Sequence, residues 1–263
     1  MKGKACLMVC FSAALAVTFP AAATYTSASY VQDGLVAQWD GIDNAGTGTH
    51  DPTATTWKDL VGNLDMTLNA KGAWNGGNAL YVSGGGAGAQ GADKTPAYKT
   101  VEIVFKMTTG DGRIIFSSGI GNRFVVVDTN SGDNRFDGKY LYFNGDLAVG
   151  DSDKRIYWFL DKNAVCFAAA TYGDSKLSNV YFNGAVRNDG AMRNNWGTGD
   201  GKVAVGGRSI AVAGTSYPWT GEVYAIRLYD RVLTAEEIAS NSAIDKARFL
   251  PPEDEAEALT SSS

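Results

Sequence analysis

Histidine and cysteine are scarce in this chain, with one and three respectively in 263 residues. A zinc or similar transition-metal site built on imidazole and thiolate ligands needs three or four of them. A single histidine, with no Gly-x-Ser-x-Gly elbow anywhere in the chain, also leaves a Ser-His-Asp triad without two of its members. His50, in Thr-His-Asp-Pro, therefore reads as a loop histidine. Two of the cysteines, Cys6 and Cys10, lie in the N-terminal apolar run, so Cys166 alone remains beyond it and no intramolecular disulfide is expected there. Within Val-Cys-Phe-Ala-Ala-Ala-Thr-Tyr, Cys166 reads as a small core residue. Charged residues make up only 19%, too few for a chain that stays unfolded by repulsion. Basic runs are missing and the formal net charge is −5, which argues against nucleic acid or an anionic membrane as partner. Past Phe19 there is no apolar run of about 18 residues, so no membrane-spanning segment is expected.

Glycine, at 32 residues, and aromatics, at 11%, are plentiful. Tight turns need the positive φ values that glycine reaches freely, so the composition suits an all-β domain of short strands. The N-terminus reads differently. Lys2 and Lys4 precede an apolar run from Ala5 to Phe19, and Pro20-Ala21-Ala22-Ala23 supplies small residues for a signal peptidase. The expected organisation is a signal peptide over 1–23, one domain over 24–250, and an acidic tail over 251–263 rich in small residues. The chain is thus expected to be exported to the periplasm, the cell surface or the medium.

Strand signals recur from Gly34 onward. Val101, Ile103, Phe105 and Met107 alternate in one run, and Asn144-Gly145 and Asn183-Gly184 each separate two β-prone runs, the chemistry of a two-residue type I′ turn. Polar, glycine-rich loops are expected over 40–56, 82–96, 128–139 and 187–202. Near the end, Tyr224, Ile226 and Leu228 alternate as one strand face, and Thr234-Ala235-Glu236-Glu237 forms a capping box that opens a helix anchored by Ile238, Ile244 and Phe249. That helix is expected to close an edge or rim of the sheets.

This closing segment, Gly-Glu-Val-Tyr-Ala-Ile-Arg-Leu-Tyr-Asp-Arg-Val-Leu-Thr-Ala-Glu-Glu-Ile, resembles the C-terminal signature of laminin G-like domains in the concanavalin A-like lectin/glucanase superfamily. Asp33–Gly41 with Thr56–Asn63, then Ala168–Arg187, then Lys202–Ser209, are similar to earlier segments of that family in the same order. The resemblance covers about Gly34 to Phe249 and implies a jelly-roll sandwich of two antiparallel sheets with a short C-terminal helix. It does not fix function, because the superfamily holds lectins, glycosidases and adhesion domains.

Glucanases of this superfamily carry their carboxylates on one strand as Glu-x-Asp-x-Glu. No strand here has such a string: Glu102 has no carboxylate at i+2 or i+4, and Glu222 has none before Asp230. No enzymatic activity is therefore expected. Sugar binding needs an aromatic face for the apolar side of a pyranose, and polar groups for its hydroxyls. Trp196, beside Asn195 and Asp200, and Trp74, beside Asn75, have that setting; a fold-back of either ring onto the sandwich is the alternative. Trp39, Trp57, Trp158 and Trp219 read as core. The resemblance also offers structural calcium, with Asp40, Asp43, Asp59 and Asp128 as candidate ligands. Aspartates also make turns for purely conformational reasons, and both readings stand. The expected function is a non-catalytic, lectin-like domain that binds a glycan or a glycosylated surface protein. The alternatives are a structural or adhesion module of the cell envelope without a sugar site, or a glycoside hydrolase.

Overall fold

The computed structural model describes residues 24–108, 114–118, 124–128, 140–144, 164–173, 176–186, 201–207 and 219–250. The strands are β1 (Leu35–Asp40), β2 (Thr56–Trp57), β3 (Met66–Leu68), β4 (Gly72–Trp74), β5 (Leu80–Ser83), β6 (Ala89–Lys94), β7 (Thr100–Met107), β8 (Phe116–Ser117), β9 (Phe124–Asp128), β10 (Tyr140–Asn144), β11 (Val165–Gly173), β12 (Lys176–Phe182), β13 (Ala185–Val186), β14 (Lys202–Val205) and β15 (Thr220–Tyr229). One helix, α1 (Ala235–Phe249), follows them. They form two antiparallel sheets. The eight-stranded sheet runs β13-β12-β11-β7-β15-β5-β4, with β1 also paired to β15, and the seven-stranded sheet runs β10-β9-β8-β14-β6-β3-β2.

The alternation in β7 works as read: Val101, Ile103, Phe105 and Met107 join Trp39, Trp57, Met66, Phe116 and Trp219 in the core between the sheets. Cys166 belongs to that core, whereas Trp158 lies outside the described residues. The Asn183-Gly184 turn has the two positive φ values, 53° and 83°, that a type I′ hairpin needs. The partner proposed for β10 beyond Asn144-Gly145 lies outside the described residues.

Three expectations change. The segment over 82–96, read as a loop, contains β6, an inner strand paired to both β3 and β14. Its small residues are a packing requirement rather than a turn signal: a Cβ on Gly91 would sit 2.6 Å from Val203 Cγ2. Tyr224 does not share a face with Ile226 and Leu228. A bulge between Val223 and Ala225 resets the alternation, so Tyr224 packs outside the sandwich on Phe249, while Ile226 and Leu228 face the core.

The third change concerns α1. The Thr234–Glu237 capping box forms as expected. The helix lies on the outer face of the eight-stranded sheet, however, rather than at its edge or rim. Ile238 packs among Ala169, Tyr181, Tyr229 and Leu233, and Phe249 beside Val104, Phe167, Tyr224 and Ala225. Edge protection falls to another device. The outer side of β1 is capped by Asp59 and Leu60, whose carboxylate and amide bond Gln38 N (2.9 Å) and Gln38 O (2.8 Å) in place of a neighbouring strand.

Candidate functional site

Trp74 ends β4, the short outermost strand of the eight-stranded sheet, at one rim of the sandwich. Its ring is half-buried and fixed on three sides. Nε1 donates to Ala54 O at 2.7 Å, and Trp57 and His50 meet it edge to face at centroid distances of 5.4 and 5.6 Å. The loop beneath is equally determined. His50 Nδ1 lies 2.6 Å from Gly41 O; a carbonyl only accepts, so Nδ1 carries the proton. Asn44 and Asp51 exchange two hydrogen bonds of 2.8 Å. Gly41 admits no side chain, since a Cβ would sit 2.0 Å from Asn78 O. Asp51 is half-buried, and hydrogen bonds from the Thr53 hydroxyl and amide hold its carboxyl below the usual carboxylate range.

Asn75 follows directly. Its Oδ1 accepts from Gly77 N and Ala79 N, both at 3.0 Å, and so closes the turn in which Asn78 takes φ 59°. No described residue accepts from its Nδ2, which leaves that amide available to a ligand hydroxyl. This corner therefore presents a pre-oriented aromatic ring, a free amide donor and a nearby carboxylate. The other candidates, Trp196, Asn195 and Asp200, lie outside the described residues, as does the side chain of Asp128.

The remaining candidate metal ligands are spent on the fold. Asp40 is fully buried; it takes both terminal nitrogens of Arg248 and the amides of Ile42 (2.9 Å) and Asp43 (3.2 Å). Asp59 accepts from Gln38 N, Val61 N and Leu64 N at 2.9 to 3.1 Å. Asp43 accepts from Gly48 N at 2.7 Å. Calcium needs six to eight oxygens converging on one point. These carboxylates point to separate amides, and no group of three or more acidic, histidine or cysteine side chains suited to a metal occurs among the described residues. Asp40, Asp43 and Asp59 thus do not fit a calcium site.

A close carboxylate pair does exist, and no sequence motif revealed it. Arg227, on the outer face of β15, donates through Nε to Glu102 Oε2 (2.7 Å), and through Nη1 and Nη2 to Asp245 (2.9 and 2.5 Å). Asn241 Nδ2 reaches Glu102 Oε2 and Tyr229 Oη, both at 3.0 Å, while Tyr30 Oη donates to Asp245 at 2.7 Å and its ring stacks under Arg227. Burial pushes the Glu102 carboxyl up, with Arg227 pulling against it. Burial likewise works against the charge on Arg227, but Asp245 and Glu102 prevail and hold it charged. The one available signal lay in the helix: Asn241, Asp245 and Arg248 sit at i, i+4 and i+7, a polar stripe along one face. The narrow cleft beside this group, lined by Glu102, Ser242, Asp245 and Gly184, has room for about one water molecule, far less than a sugar ring needs.

The sequence matches the laminin G family model described as the concanavalin A-like lectin/glucanases superfamily over residues 89–239, more than half the chain. The chain belongs to this superfamily. Among curated proteins, none matches it. Among solved structures, this concanavalin A-like chain is similar to Trypanosoma rangeli sialidase in complex with sialic acid. The identity is 15%, the TM-score 0.58, and the match covers 83% of this chain and 34% of the sialidase. It is also similar to the same enzyme as its covalent intermediate with 2,3-difluorosialic acid, at 16% identity and TM-score 0.57, with the same coverage. A looser likeness, TM-score 0.44 and 14% identity over 79% of this chain and 98% of the other, is to domain 4 of the Geobacillus stearothermophilus arabinanase AbnA in complex with arabinotriose. The chain spans about a third of the length of the sialidase. At these identities the likeness is one of fold. Among the described residues, no helix is long and apolar enough to cross a membrane.

Proposed function

We propose that this chain is an exported, non-catalytic lectin-like domain that binds a carbohydrate, free or on a glycosylated surface protein, at the rim carrying Trp74. One observation carries the reading: a half-exposed tryptophan locked by its own N–H and by two edge-to-face contacts, beside the free amide of Asn75. A fixed aromatic platform meets a pyranose with little ordering cost. Membership of the superfamily and the sialic acid held by the sialidase of similar fold support a carbohydrate as the ligand class. The carboxylates support a non-catalytic role. Glu102 and Asp245 are tied to Arg227, and Glu222 is tied to Lys106 at 2.7 Å and to the Tyr224 hydroxyl at 2.6 Å. Export rests on Lys2, Lys4 and the apolar run behind them.

The test is a glycan array probed with the folded chain from Thr24 onward, with calcium and with chelator. Binding that weakens at least about tenfold in Trp74→Ala, and survives chelator, supports this site. Loss only in Trp196→Ala would move the site to the 187–202 segment. A silent array would favour the second reading, a structural or adhesion module without a sugar site. That reading has its own observation: Trp74 also packs on the core through Trp57, as an aromatic that merely anchors a loop would.

A further inference from the structure

The outer face of the eight-stranded sheet buries unequal numbers of charges. In one network joined through the Tyr30 hydroxyl, which donates to Asp245 at 2.7 Å and accepts from Arg248 Nη1 at 2.9 Å, Glu102, Asp245 and Asp40 supply three carboxylates and Arg227 and Arg248 supply two guanidinium groups; all five charged side chains are at most 5% exposed. The other groups facing Glu102 carry no charge: Tyr229 from β15, Asn241 and Ser242 from α1, Ala169 from β11, Tyr181 from β12 across the cleft, and Tyr30 from the N-terminal segment behind Arg227. All three tyrosines are pushed further from ionising by burial. Lys246, the nearest lysine on the helix, turns outward to Asn183 O at 3.4 Å. Ionised throughout, the network would keep one buried negative charge without a counter-ion, an expensive arrangement in a low-dielectric setting.

The hydrogen bonds show which carboxylate can absorb that charge. Asp245 has each oxygen on Arg227, and Asp40 has each on Arg248. Glu102 is bonded only at Oε2, by Arg227 and Asn241. Its Oε1 accepts nothing from the described residues, and Glu102 lines the cleft into which Ser242 also projects. Ser242 is 6% exposed, and its Oγ has no hydrogen-bond partner. We propose that Glu102 is the proton-carrying member of this network: it binds one proton on Oε1 and shares it with Ser242 Oγ through one water in the cleft. Two vacant valences and one surplus charge are thereby satisfied together.

Burial raises the Glu102 carboxyl above the ordinary glutamate value of 4.5, with Arg227 offsetting only part of the rise. The folded chain therefore keeps a proton that the unfolded chain releases above about pH 4.5. The stability from this group is complete below that pH and is lost as pH rises, by up to tenfold in the folding constant per pH unit, until Glu102 ionises in the fold. Acid tightens the seat of α1.

Urea denaturation of the whole chain between pH 5 and 8, alongside Glu102→Gln, tests this. The amide is uncharged and offers N–H where the acid offers O–H. The wild-type folding constant is expected to fall with pH relative to the variant, by up to tenfold per unit. A constant wild-type advantage, or one that grows with pH, would overturn the proposal, because the network would then need the carboxylate. If Glu102→Gln does not fold, the wild-type chain with ¹³C-labelled glutamate decides. One carboxyl carbon that holds its protonated shift to a higher pH than the other glutamates supports the proposal, and all of them titrating together refutes it.

Discussion

Asp59 shows how one side chain can look like a metal ligand and serve the backbone instead. Its two oxygens take the amides of Gln38, Val61 and Leu64, so it stands in for a missing strand along β1 and shapes the turn that follows. Removing the carboxylate in Asp59→Ala strands three amides, one of them on a buried strand. Each unsatisfied buried group costs about 1–3 kcal/mol, and partial rehydration of the turn should hold the total near 3 kcal/mol. Urea denaturation would measure that loss. In the wild-type chain, chelator should leave Tm unchanged, since Asp40, Asp43 and Asp59 are already bonded within the protein. A chelator-induced drop would mean that oxygens elsewhere hold calcium. The sequence showed Asp59 within the Thr56–Asn63 segment, but not what its carboxylate bonds to, because the partners are amides, which every residue but proline offers.

Among the elements, α1 was the most legible and β6 the least. The start of α1 is local chemistry: Thr234 Oγ1 accepts from Glu237 N at 3.2 Å, and Glu237 reaches back to Thr234 N at 2.8 Å. Its destination is not local, because either a rim or a sheet face could receive Ile238 and Ile244. For β6 the local signal misleads. Gly91 is required by the approach of Val203, a contact made more than a hundred positions along the chain, and Gly91→Ala should cost about 1–3 kcal/mol through that overlap. The capping box carries a pH signature of its own. Arg231 hydrogen-bonds both Glu237 oxygens and brings its carboxyl down to about 2. This depressed value means stability that is present above pH 4.5 and lost as pH falls toward 2. Helicity and Tm measured between pH 5 and 2.5 should fall more in the wild-type chain than in Glu237→Gln, which starts lower and changes less.

At the scale of the molecule, the segment before β1 and the helix after β15 meet on the outer face of the eight-stranded sheet. Tyr30 and Val31, before β1, bond Asp245 and Asn241 of α1 at 2.7 and 3.1 Å, across more than two hundred residues of sequence. Arg227, at the middle of this clasp, lies on the strand that pairs with β1, β5 and β7. The sandwich could be read from alternation and turns; the clasp could not, because its polar residues are spread over five separate segments and only the stripe on α1 shows a spacing. Its charges make a last prediction. Asp245→Asn removes one carboxylate and leaves two against two, so Glu102 no longer needs its proton. At pH 5 the variant should be weaker than wild type by about 3 kcal/mol, since an amide faces Arg227 with a donor where it needs an acceptor. As pH rises the wild-type chain loses its proton-linked stability and the variant has none to lose, so the gap should narrow. A gap that stays constant from pH 5 to 8 would show that the fold tolerates the surplus charge on Glu102 and Asp245, and that the seat of α1 is indifferent to pH.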